Sequence, residues 1–283
     1  MSNTWAKRLG LASPAVRFVG LLLVGMWALI GIFPLYWALN TSLKGATSVI
    51  STPPDWVPWP ITFESWANLF AQPDIWRWLF NSVFVASAVT AGTILFCGMA
   101  GYAFAKGQFA GRKSLFAAAI LLMMVSSQVL IVPLFILLRN VGMLDTYWGL
   151  ILPALAAPFG VFLAKQFMET LPDEVFDAAR VDGCSEIGLC FRLAMPMARP
   201  VLAIIGVFAF LGNWNEYLFP LIITSSNEMR TLPVGLSLLQ NQFSLDYGLV
   251  MAAAVFTTIP PLVLFLVMQR SLVAGLTIGA VKG

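Results

Sequence analysis

Six long apolar runs punctuate the chain: Phe18 to Leu39, Leu79 to Ala105, Leu115 to Leu138, Thr146 to Ala164, Val201 to Ile223 and Gly248 to Met268. Each is near or above the roughly 18 to 20 residues that a helix needs to cross about 30 Å of hydrocarbon. The pattern predicts an all-α polytopic membrane protein with six transmembrane helices. The fourth run is short and carries Pro153 and Pro158, which predicts a broken or tilted helix. In the sixth, Thr257, Thr258, Pro260 and Pro261 predict a local kink.

The polar stretches between the runs divide the chain further. Residues 1–17 form an N-terminal segment, 18–39 the first span, 40–78 a segment rich in Trp and Pro, 79–270 a core holding spans two to six, and 271–283 a glycine-rich tail. An even number of spans puts both termini on one side. That side collects twelve of the 16 basic residues, and only Lys44, Arg77, Arg139 and Arg230 fall on the other. The positive-inside rule therefore places both termini in the cytoplasm and residues 40–78 outside.

Composition narrows the chemistry. The chain is 59% hydrophobic and 10% charged, where soluble domains run near a quarter charged. It has no histidine and three cysteines, so neither a histidine-based triad nor a histidine-ligated metal site can be built from it, and no metal site is expected. The net charge of +3 comes without a basic stripe, which argues against nucleic acid. Gly107 to Ser114 is reminiscent of a phosphate-binding loop, but the second glycine comes one residue early and Arg112 separates it from Lys113. No ATP hydrolysis is expected of this chain, nor any disulfide among Cys97, Cys184 and Cys190.

Two segments outside the bilayer are long enough to do more than connect spans. In 40–78, Pro53, Pro54, Pro58 and Pro60 disfavour helix, and Trp56, Trp59, Trp66, Trp76 and Trp78 suit the headgroup interface or, alternatively, a docking surface or a sugar-stacking platform. The second, 165–199, lies between spans four and five on the cytoplasmic side. Thr170 and Asp173 read as a capping box that starts a helix near Leu171, and Gly183 ends it after Val181. Ser185 can cap a second short helix that stops before Pro196 and Pro200. Such a pair forms either a rigid cytoplasmic knob or an amphipathic hairpin resting on the membrane.

Within the knob, Asp177-Ala178-Ala179-Arg180-Val181-Asp182-Gly183, nine further residues, then Leu193-Ala194-Met195-Pro196 resembles the EAA loop of ABC-importer permeases. Asp177 stands for the usual Glu, Leu193 for Ile and Met195 for Leu. Phe33-Pro34-Leu35-Tyr36, Asn81-Ser82, Trp214-Asn215-Glu216-Tyr217-Leu218 and the tail from Gly275 are similar to the carbohydrate branch of that family, the maltose-type subunit with six spans. The resemblance implies a permease of a binding-protein-dependent importer for a sugar or related solute in a prokaryotic inner membrane. It also implies three kinds of partner: a second, homologous permease subunit, two copies of a cytoplasmic ABC ATPase that carry ATP and Mg, and an extracytoplasmic solute-binding protein. No cofactor is expected on this chain itself. The loop would act as the coupling helix, with Glu174, Val175, Phe176, Asp177, Ala178, Ala179, Asp182 and Gly183 facing the ATPase.

Glu216 is the one charge in any predicted span, and a carboxylate in hydrocarbon costs about 2.5 to 3.5 kcal/mol on insertion scales. It must face water or a partner. Asn213, Trp214, Asn215, Glu216 and Tyr217 are candidates for the lining of a path for a polyhydroxylated solute, although on one helix not all five can point inward. Gln128, beside Ser126 and Ser127 in the third span, faces either the path or another helix. The competing class is a carrier or channel that works without an ATPase; such carriers commonly use several intramembrane charges, and this chain offers one.

Overall fold

The computed structural model describes residues 14–45, 53–242 and 246–278, and among these it contains helices and no strand. Three helices are long and apolar enough to cross a membrane: α1 (Pro14–Ser42), α3 (Ile75–Lys106) and α13 (Tyr247–Ile278). Three further candidates are bent pairs. The first is α4 (Arg112–Leu122) with α5 (Ser127–Asn140), bent by 102°; the second is α6 (Tyr147–Ile151), continued to Leu155, with α7 (Pro158–Met168), bent by 42°. After α8 (Asp173–Val181), the third pairs α9 (Glu186–Met197) with α10 (Arg199–Trp214) at 81°. Three short or irregular helices complete the set: α2 (Glu64–Phe70), α11 (Leu218–Ile223) and α12 (Leu232–Gln242).

The predicted break in the fourth span falls at Ala156 and Ala157, between Pro153 and Pro158. Two other runs that were read as continuous are also interrupted. The third bends sharply at Met123 to Ser126, where Ser126 takes extended backbone; serine hydroxyls compete for backbone hydrogen bonds and so favour helix ends. The fifth stops at Trp214 and resumes at Leu218. By contrast, α13 runs as one helix through Pro260 and Pro261.

The chain divides into two compact units, Met1–Gln72 with Gln240–Phe256, and Pro73–Leu239 with Thr257–Gly283. In the first, the end of α1 binds the Pro-rich segment. The Tyr36 hydroxyl donates to the Trp56 carbonyl, Lys44 Nζ donates to the Asp55 carbonyl at 2.6 Å, and Trp37 meets Trp56 edge-on. Trp59 is 83% exposed, whereas in the second unit Trp78 is buried and donates through Nε1 to the Asn227 carbonyl at 2.9 Å. Trp78 therefore holds protein together, contrary to its assignment to the headgroup interface.

The core of the second unit is α3, packed along α7 and α10. Small residues make that approach possible, because without side chains to interpose, helix backbones in a membrane can meet closely. A Cβ on Gly101 would stand 2.5 Å from the Ala164 Cβ and 3.0 Å from the Ala164 carbonyl carbon. Gly101→Val is expected to destabilise the subunit by roughly 1 to 3 kcal/mol through overpacking. Gly20→Val, where nothing lies within 4 Å, should leave the thermal transition in detergent unchanged. Equal transitions for the two variants would refute the close-packing account.

Candidate functional site

The cytoplasmic knob is assembled against the end of α3. Helix α8 begins at Asp173 with Pro172 before it, and no side chain caps its first turn. The expected capping box is not formed: the Thr170 hydroxyl donates back to the Phe167 carbonyl, and Asp173 accepts from Lys106. Lys106 Nζ reaches both the Asp173 carboxylate at 2.5 Å and the Leu171 carbonyl at 2.7 Å, and lies 5.4 Å from the centre of the Phe176 ring. A cation from the neighbouring helix thus replaces the local cap. Its hydrogen bond, with its charge, holds the Asp173 carboxyl below the usual carboxylate range.

The other end of α8 follows the sequence closely. Gly183 sits at φ +81°, the Gly183 N–H bonds to the Arg180 carbonyl at 3.0 Å and the Cys184 N–H to the Ala179 carbonyl at 2.9 Å. That is the double bond pattern of a Schellman stop, which closes the last carbonyls and turns the chain. Ser185 then accepts from the Gly188 N–H at 3.2 Å, capping α9 as expected. The second helix does not end before Pro196. It relaxes into a π-helical turn over Cys190–Ala194 and continues through Met197, the wider i→i+5 register being one way to carry a helix past a residue that lacks an N–H.

Arg180 fixes the two helices together. It donates through Nε to Glu186 at 2.8 Å and through a terminal nitrogen to Asp177 at 2.8 Å, while the Tyr102 hydroxyl donates to the second Glu186 oxygen at 2.6 Å. The Glu186 hydrogen bond raises Arg180 further above its ordinary value, so its charge is permanent. Beside this network, Met99, Tyr102 and Lys106 of α3 and Asp177, Arg180 and Glu186 of the knob border a cavity of about 630 Å³.

Of the eight residues predicted to face a partner, Phe176 does not. It is 1% exposed and packs with Tyr102, Met168 and Leu189 in the chain's own core, and Ala179 is half-buried against the same core. Helical spacing leaves Glu174, Val175, Ala178 and Asp182 outside, with Asp177 exposed but bonded to Arg180. The sequence reading overlooked the two most exposed apolar side chains of the knob, Val181 at 88% and Ile187 at 73%. It also overlooked Tyr102 and Lys106, which are identifiable only once α3 is placed beside α8.

The path candidates separate into two groups. Gln128, Asn213 and Glu216 line one chamber of about 300 Å³, together with Ser82, Phe219 and Thr231. Glu216 lies outside any helix, in the break between α10 and α11, and accepts the Phe219 N–H at 3.3 Å. Gln128 accepts from the Ser126 and Ser127 hydroxyls at the break before α5. Trp214, Asn215 and Tyr217 are not in the chamber. Trp214 is buried with Nε1 bonded to the Thr257 carbonyl at 3.1 Å, Asn215 closes the Leu211 carbonyl at 2.8 Å, and the Tyr217 hydroxyl accepts from Ser237 at 3.3 Å.

Residues 94–278 match the family described as the binding-protein-dependent transport system inner membrane component. The chain is 36% identical over 259 residues to the arabinooligosaccharides transport system permease protein AraQ of Halalkalibacterium halodurans, covering 90% of this chain and 93% of that protein. It is 34% identical over 255 residues to the lactose transport system permease protein LacG of Rhizobium radiobacter, covering 90% and 92%. Its fold is similar to a chain in the crystal structure of a bacterial ABC transporter involved in the import of the acidic polysaccharide alginate. That match has a TM-score of 0.80 at 22% identity, over 91% of this chain and 98% of the other.

Phe176→Ala should loosen the knob by about 3 to 5 kcal/mol, the cost of emptying a large buried site, seen as faster hydrogen exchange across residues 173–181. Val181→Ala should leave exchange unaltered, and equal effects would contradict the inward and outward assignment. Because the folded Asp173 pKa is depressed, its contribution is complete above the unfolded carboxylate range and is lost as pH falls through the folded value. Protection of α8 is therefore expected to stay level from pH 7 to about 5 and to decline only below about 4. A decline between pH 7 and 5 would show that another group holds the helix.

Proposed function

The chain belongs to the family of binding-protein-dependent transport inner membrane components, and from that premise we propose that it is a permease subunit of an ATP-driven importer for a sugar or related polyhydroxylated solute. It is a multi-pass membrane protein. It works beside a second, homologous permease and delivers into the cytoplasm what an extracytoplasmic binding protein presents. ATP and Mg are bound and ATP is hydrolysed on two copies of a separate ATPase, and both termini of this chain face the cytoplasm with them. The sugar class is supported by relatives whose names specify arabinooligosaccharides and lactose.

The observation that carries the mechanism is the stiffness of the knob. Closure of an ATPase dimer moves membrane helices only through an element that does not yield, and α8 is held at both ends: by Lys106 at its start and by the Gly183 turn with the Arg180 bridge at its finish. Glu174, Val175, Asp177, Ala178 and Asp182 are the residues presented to the ATPase, and Phe176, with Ala179 beside it, anchors the helix from within. A carrier without an ATPase has no use for such a braced element.

The reading is tested first by the native mass and composition of the complex that the tagged subunit retains in mild detergent. A second permease and two ATPase copies are expected; recovery of the chain alone, under extraction shown to be non-disruptive, would favour a carrier. Gly183 tests the lever itself. No atom crowds a Cβ there, but φ of +81° is costly for β-branched residues and tolerated by Asn. Gly183→Val should insert normally and abolish ATP-driven uptake into proteoliposomes, while Gly183→Asn retains most of it. Full uptake by the valine variant would refute the coupling role.

A further inference from the structure

The chamber that holds Gln128, Asn213 and Glu216 has a neighbour. Ala154, Gly212 and Asn213 also line a second cavity, of about 200 Å³, bordered by Thr93, Phe159 and Phe208. Along α3 the two are stepped: Ser82 and Val85 face the first, and Thr93, roughly 16 Å further at 1.5 Å per residue, faces the second. Under the basic-residue bias, this order leads from the outer end of α3 inward.

Each cavity is lined by a threonine whose buried hydroxyl has no partner. Thr231 Oγ1 in the first, on a residue 4% exposed, and Thr93 Oγ1 in the second, on a residue 2% exposed, are buried without a hydrogen bond. Buried polar groups are otherwise almost always paired, so an orphan at a cavity wall marks where a ligand or water completes the bond. The first chamber adds the Glu216 carboxylate and the Gln128 and Asn213 amides, set against Leu134, Pro153 and Phe219. Hydrogen-bonding groups alternating with apolar surface match a sugar ring, which has hydroxyl edges and C–H faces. The volume, at the small end for ligand sites, suits one ring and not a chain of them. Glu216 is the only charged residue among the described residues lining either cavity. An acidic solute would meet a carboxylate with no cation to offset it, whereas neutral hydroxyls donate to it.

We propose that this subunit itself holds the solute, as an uncharged sugar ring, at Glu216, Gln128, Asn213 and Thr231, with the Thr93 cavity as the next position inward. The proposal rests on the importer reading above and adds to it a solute site on this chain and a preference for neutral over acidic sugars.

The test uses the complete permease and ATPase complex. Binding of radiolabelled maltotriose, arabinotriose and lactose, and of trigalacturonate as the acidic probe, is measured without the binding protein; ATP-driven uptake of the same probes is measured with it. The wild type is expected to retain at least one neutral probe about tenfold better than trigalacturonate. Gly212→Phe, which fills the shared wall where no atom lies within 4 Å of a Cβ, should cut retention at least tenfold. Glu216→Gln should bring trigalacturonate to within about threefold of the neutral probe. Thr231→Val removes an orphan and creates none, so it should raise the thermal transition and, as a solute contact is lost, lower retention; a merely structural threonine would give the first change without the second.

Retention unaffected by Gly212→Phe and Thr231→Val, or wild-type retention of trigalacturonate equal to that of the neutral probes, would overturn the proposal. So would intact ATP-driven uptake of a probe with no retention of it by the complex. Absence of ATP-driven uptake of every probe by the wild type would instead overturn the sugar-importer reading, and the site would fall with it.

Discussion

Hydrocarbon offers no partner for a backbone N–H or C=O, so a helix interrupted inside a bilayer must close its own broken ends. Three interruptions in the second unit bear on that constraint: after Trp214, at Ala157 and before α5. After Trp214, Asn213 and Asn215 donate their side-chain amides to the carbonyls of Ala209 and Leu211, and Glu216 accepts the first free N–H of the following turn. At Ala157, whose carbonyl accepts the Val161 N–H at the start of α7, the Cys97 thiol approaches within 3.5 Å. Before α5, Ser126 and Ser127 turn toward Gln128. At the break after Trp214 the same side chains do both jobs: Asn213 and Glu216 close helix ends and line the chamber.

The unbroken α3 is what gives those breaks a common reference. Its early turns face the chamber through Ser82 and its last turn grips α8 through Tyr102 and Lys106, a separation of roughly 36 Å at 1.5 Å per residue. Close packing against α7, made possible by Gly101 opposite Ala164, prevents α3 from bending to absorb displacement, because dense interiors rearrange between discrete packings and do not stretch. The knob is fastened to α3 by hydrogen bonds, an ion pair and a buried aromatic ring together.

Much of this was legible in the sequence where the signal is local. The apolar runs gave the helices, Pro153 and Pro158 gave one break, and Gly183 and Ser185 gave the turn and the second cap. What escaped the reading depends on neighbours. No residue near Thr170 reveals that Lys106, more than sixty positions away, takes over the helix start. Phe176 looked available because α8 was read alone; helical spacing sets it opposite Ala178, yet which side meets the protein is decided by Tyr102 and Met168. Likewise, Asn213 to Tyr217 suggested a continuous helix with incompatible faces, and the break at Asn215 to Tyr217 is what lets Asn213 and Glu216 share a wall. The double serine at 126–127 was the available signal for the third-span bend, and attention went instead to whether Gln128 beside it faces the path or another helix.

The replacement of the usual glutamate by Asp177 acquires a physical meaning from Arg180. Three residues apart on α8, the shorter carboxylate lies alongside Arg180 and is engaged by the same guanidinium that holds Glu186. An exposed ion pair of this kind adds little stability, so its consequence is geometric: the charge at position 177 is directed along the chain's own surface and helps fix the angle of the Gly183 turn. The exposed surface of the knob combines apolar Val175, Val181 and Ile187 with the carboxylates of Glu174 and Asp182. The Arg180 guanidinium, bonded to Asp177 on its own helix and to Glu186 on the next, is what ties the two short helices together.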